Sequence, residues 1–75
     1  MADYRIWTTI AHAAPHLFFV TVSAVSEDDS ERSGGVETAE ATAREEAEAA
    51  RDQLVLQLSA RLLTRGHRIV AVKLE

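Results

Sequence analysis

"RLLTRGHRIVAVK", residues 61–73, changes structural type in its middle. Its first part continues a helical pattern, with Leu62 four residues after Leu58. Gly66 fits the left-handed position just past a helix end. "HRIVAVKL", residues 67–74, then has the β-branched content of a strand, predicted over about 67–73. A helix handed directly to a strand makes the chain α+β, and the remaining elements are read outward from this junction.

Upstream of it, residues 38–65 contain no Gly or Pro, and Ala, Glu, Arg, Gln and Leu dominate. A helix of about 38–65 is predicted. Its start is either Thr38 or a capping box from Thr42 to Glu45. Nearer the N-terminus, "DYRIWTTIAH" (3–12) and "HLFFVTVSAVS" (16–26) are rich in aromatic and β-branched residues and read as strands. The short "AAP" between them makes an antiparallel hairpin. Alternation assigns Tyr4, Ile6 and Ile10, with Phe18, Val20, Val22 and Ala24, to the core. Residues 26–37, "SEDDSERSGGVE", have almost nothing apolar to bury and read as a mobile acidic loop.

The expected fold is therefore one α+β domain over 1–75, a two-layer ββαβ arrangement. Its three-stranded antiparallel sheet has order 2-1-3, with a right-handed crossover, and one long helix covers one face. The order hairpin then helix, over residues 4–58, resembles the partial RNase H-like domain of small antitoxins of the HicB type. The resemblance lies in element order. That family's Gly-rich, Pro-containing strand signature is missing, and a strand follows the helix, so no functional residue is carried over.

The basic character of residues 61–73 has an architectural reason. Residues 27–52 hold ten acids and three arginines, a net of −7; residues 53–75 hold Arg61, Arg65, Arg68, Lys73 and Glu75, a net of +3. Acids at a helix start and arginines at its end are what the helix dipole favours, by about 0.3–1 kcal/mol per well-placed charge. A phosphate or nucleic-acid patch is the competing reading. The overall charge of −4 and the few cations weigh against it.

Apolar residues exceed what one helix–sheet contact can hide. Ala43, Ala47, Ala50, Leu54, Leu58 and Leu62 form one helical stripe for the sheet, widened by Val55. Leu56 and Leu63, with Ala49 and Ala60 beside them, point nearly the other way. On the sheet, Trp7, Leu17 and Phe19 face away from the helix, and the last strand is apolar on both sides, Val70 and Val72 against Ile69 and Ala71. The expectation is a homodimer, built either on Leu56, Leu63, Ala49 and Ala60 or on Trp7, Phe19 and Ile69. A 28-residue helix, about 42 Å long, would also overhang strands of about 26 Å.

Chemistry is sparse. No cysteine is present, which removes thiol catalysis, disulfides and cysteine zinc sites. His12 and His16 flank the hairpin turn without a third ligand nearby, and His67 follows Gly66. Ser33-Gly34-Gly35 precedes the predicted helix but has neither Walker spacing nor a following Lys. No catalytic set, cofactor or metal is assigned, and an enzyme is not expected. The alternative to a self-associating protein-interaction or regulatory module is a nucleic-acid binder using Arg5, Trp7, Phe19 and Arg68, aromatic platforms being suited to bases. A small-ligand site at a dimer interface is a further alternative. Without a membrane-length apolar run or a secretory pattern, a cytoplasmic location and no membrane partner are expected. The arginine-rich basic set (seven Arg, one Lys) suggests a bacterial source, and Leu74 and Glu75 are given no role.

Overall fold

The computed structural model describes residues 2–27 and 33–74, excepting the side chain of residue 33. Five elements follow in order: β1 (Asp3–Ala14), β2 (Leu17–Ser26), β3 (Ser33–Ala41), α1 (Arg44–Thr64) and β4 (Arg68–Lys73). The strands form one sheet of order β3-β2-β1-β4. β1 pairs antiparallel with β2 and β2 with β3, whereas β4 lies parallel to β1. The α+β class and the single helix on one sheet face agree with the sequence reading; the three-stranded antiparallel sheet of order 2-1-3 does not.

One unexpected strand causes the difference. Residues 33–37 were assigned to the mobile loop and 38–41 to the helix, yet together they form β3. Residues 28–32 of that loop lie outside the described residues. An added strand reverses the direction in which the chain enters the helix, so β4 emerges parallel to β1 instead of antiparallel. The helix loses its first six expected residues. With 21 residues it is about 32 Å long, and the ten residues of β2 span about 33 Å. The expected helix overhang is absent.

The hairpin is tighter than predicted: β1 continues to Ala14, Ala14 pairs with Leu17, and Pro15 and His16 make the turn. A register irregularity between His12 and Ala14 accommodates the bend. Along both strands the period of two holds. Tyr4, Ile6 and Ile10 of β1 and Phe18, Val20, Val22 and Ala24 of β2 are all buried beneath α1, as alternation required. Ala41 joins them from β3, and Ala47, Leu58 and Leu62 close the core from α1. Full burial of one such aliphatic side chain contributes about 1.5–3 kcal/mol.

β4 corrects another expectation. A bulge shifts its register, so Ile69 stands beside Tyr4 and Val72 beside Ile6, while Ala71 stands beside Arg5. Ile69 therefore packs on the core, not on the Trp7 and Phe19 face. Val70 and Val72 remain exposed because α1 lies chiefly over β3 and β2.

The helix ends differ in their capping. Ala43 occupies the N-cap without a side-chain bond, and the Thr42 hydroxyl donates to Glu46 Oε1 at 3.0 Å, so the Thr42–Glu45 box does not form. At the other end, His67 N–H donates to Leu62 O and Gly66 N–H to Leu63 O, with Gly66 at φ +84°. This is a Schellman closure, and it turns the chain straight into β4.

Asp3 and Arg68 join the starts of β1 and β4 through two bonds of 2.9 Å, from Nε and Nη2 to the two carboxylate oxygens. The pKa of Asp3 is lowered, first by these bonds, against some desolvation, and then by attraction to the charge. A lowered folded-state pKa gives stability that is present above the ordinary Asp range, about pH 4, and is lost as pH falls through the lowered value. Wild type should thus show a higher urea midpoint than Asp3→Asn at pH 7, and the gap should close in strong acid. An equal gap at both pH values would show that the carboxylate charge is not responsible.

Candidate interaction surfaces

Odd-numbered residues of β1 and β2 point away from α1, and pairing aligns them into rows across the open face. Read from β3 toward β4, the rows are Glu40–Phe19–Ala11, then Thr38–Thr21–Thr9, then Val36–Ser23–Trp7–Lys73, then Val25–Arg5–Ala71. Trp7 and Phe19 are 44% and 41% exposed, too much for side chains in a finished core. They do not adjoin. The threonine row separates them, an offset of about 13 Å along the strands.

The two arginines predicted to contact nucleic acid are engaged. Arg5 Nη2 lies 2.7 Å from Glu27 Oε1, and its guanidinium carbon sits 5.9 Å from the Trp7 ring centroid. Its Nε is buried with no hydrogen-bond partner among the described residues. With Val25 and Ser26 these groups line an open depression of about 210 Å³. Arg68, at the start of β4, is held by Asp3. Of the four nucleic-acid candidates, then, Arg5 and Trp7 meet; Phe19 and Arg68 stand apart, and both arginines already face a carboxylate.

A second apolar surface lies on the far side of α1. At 3.6 residues per turn, Ala49, Leu56, Ala60 and Leu63 fall within about 60° of one another and opposite Leu58. Leu58 is buried against the sheet; Leu56 is 65% exposed and Leu63 57%. Arg61 leaves this crest clear, because it pairs with Glu37 on β3. Two further exposed sites lie outside the predicted interface residues: Val36 on β3, and the Val70, Val72 and Leu74 group at the β4 edge, of which Val70 and Val72 count in the sequence toward the apolar surplus. The β-branched run of β4 was a usable signal for the second. Val36 sat in a segment read as loop.

The histidines are dispersed. The His12 ring stacks on Phe18 at 4.3 Å, His16 occupies the turn, and His67 Nδ1 accepts from the Ala2 N–H at 3.1 Å at the opposite end of β1. Among the described residues no three of His, Cys, Asp and Glu gather as a metal site. Gly34 and Gly35 lie inside β3, so the phosphate geometry of glycines at a helix start is not formed. Among those residues no helix is long and apolar enough to cross a membrane. The chain matches no protein-family model, no curated protein and no solved structure.

Proposed function

We propose that this chain is a non-enzymatic protein-interaction module that works as a homodimer. One observation carries the reading: Trp7, Phe19, Val36, Leu56, Leu63, Val70, Val72 and Leu74 are all exposed in so small a domain. They lie on the helix crest, the open sheet face and the β4 edge. Scattered apolar residues on a surface are ordinary, but grouped ones mark contact sites. Separate surfaces on the helix and on the sheet suit a module that joins its own copy through one and a different protein through another. The nucleic-acid reading is weaker, because Arg5 and Arg68 are each paired with a carboxylate and phosphate neutralisation needs uncommitted cations.

Light scattering on the purified chain at high micromolar concentration is expected to give twice the chain mass, with Trp7 fluorescence unchanged by single-stranded oligonucleotide at low salt. A single-chain mass at that concentration removes the dimer. An oligonucleotide-dependent change at Trp7 transfers the open face to the nucleic-acid reading.

A further inference from the structure

We infer that His67 is an acid-sensitive clasp: its neutral ring ties the Ala2 N–H to the junction between α1 and β4, and protonation lets the start of β1 go. The inference stands apart from the homodimer, since every group in it belongs to one chain. Ala2 is bonded on both sides. Its N–H donates to His67 Nδ1 at 3.1 Å, and its carbonyl accepts from the Arg68 N–H at 2.9 Å. The ladder between β1 and β4 begins one residue later, where Asp3 stands beside Arg68. The His67 ring thus supplies the bond that closes the open end of this ladder. Its own place is fixed from two directions. The His67 N–H donates to Leu62 O in the Schellman closure, and the ring meets Tyr4 edge-on, 5.0 Å between centroids. Ala2 is partly buried and packs on the core, so its release exposes apolar surface as well as an N–H.

A ring nitrogen that accepts a hydrogen bond carries no proton, so the neutral His67 ring has its proton on Nε2. A second proton, on Nδ1, would point one N–H at another. The acceptor is then lost, and the Ala2 N–H is left in a half-buried place without a partner. Histidine is the side chain whose charge ordinarily changes between pH 8 and pH 5. A bond made only by the neutral ring is complete above that range and is lost as pH falls through it. The charged groups on the surrounding elements do not reverse this sign. On the α1 side, Arg65 opposes a charged ring, whereas the helix C-terminus favours one. That end is already answered, because Leu62 O and Leu63 O accept from the N–H groups of residues 65–67. On the strand side, Asp3 and Arg68 neutralise each other through two bonds of 2.9 Å. Glu27, whose N–H donates to Asp3 O, is paired with Arg5.

Two variants separate the acceptor from the charge. His67→Asn keeps an acceptor oxygen about where Nδ1 stands and does not titrate. His67→Phe keeps a ring against Tyr4 and accepts nothing. Urea titrations at pH 7 and pH 5, at one protein concentration, compare them with wild type. Between these pH values the folding equilibrium constant of wild type should fall about fivefold relative to either variant, the worth of one hydrogen bond. His12 and His16 titrate in all three proteins and cancel, and Asp3, with its lowered pKa, stays ionised at both pH values. Amide hydrogen exchange gives the local readout. Protection of the Ala2 N–H should drop at pH 5 in wild type, persist in His67→Asn, and be missing at both pH values in His67→Phe. A gap between wild type and the variants that does not change with pH would overturn the inference. So would a gain by wild type at pH 5, which would mean a ring stabilised in its charged form. A fall in wild-type stability with Ala2 protection unchanged would tie the pH effect to another contact of the ring and remove the clasp.

Discussion

Replacing Leu58 by alanine is expected to remove about 2–5 kcal/mol of folding stability. Leu58 is wholly buried, and its Cδ1 reaches to where a Cβ on Gly35 would stand, so it fills the space between α1 and β3. Truncation there loses apolar burial and leaves a cavity whose floor is strand backbone, which cannot collapse inward. A 75-residue domain has about 4–11 kcal/mol in total, so the variant sits near its unfolding threshold. Urea titration followed by far-UV circular dichroism measures the loss. Because the cavity lies inside one chain, the loss should not vary with protein concentration. Leu63→Ala makes a useful contrast: that side chain is exposed, so its truncation leaves no cavity inside the chain and should cost well below the Leu58→Ala loss. A shift below about 1 kcal/mol for Leu58→Ala would mean that α1 does not rest on the sheet through this residue.

The parts of the fold that were legible in the sequence are those where side chains alone decide. Alternation in β1 and β2 placed Tyr4, Ile6, Ile10, Phe18, Val20, Val22 and Ala24 correctly, because each strand buries one face and a period of two admits no other register. Gly66 ended the helix as expected, since only glycine takes its left-handed backbone without strain. The surplus of Leu56 and Leu63 was equally visible. β3 was not. "SGGVETAEA" has two glycines and otherwise mostly helix-favouring or polar residues, and small Ala39 and Ala41 face the core. Its strand character comes from the open edge of β2 and from lying under α1, neither of which is local. The misplaced Ile69 has a similar cause. A bulge in β4 falls between Ile69 and Ala71, so the two do not share a face as strict alternation requires, and the six residues carry no sign of where it falls.

Gly35→Ala tests that missed strand and should cost about 1–3 kcal/mol from backbone strain alone. Gly35 has φ +132°, a conformation that side-chain-bearing residues rarely adopt, so the pair of glycines reflects geometry and not slackness. The added Cβ would also lie 3.1 Å from Leu58 Cδ1, closer than ordinary contact, and Leu58 is wholly buried. Gly66→Ala supplies the reference. Its φ of +84° is strained for alanine as well, but nothing lies within 4 Å of a new Cβ. Gly35→Ala should therefore be the more destabilising of the two by urea titration. The steric and conformational parts can be separated, since Leu58→Ala removes the methyl that the new Cβ meets. In that background Gly35→Ala should lose the steric part of its cost and keep the part due to φ. Equal costs at Gly35 and Gly66, together with no coupling between Gly35 and Leu58, would place residues 33–41 somewhere other than beneath α1, and the parallel direction of β4 would lose its explanation.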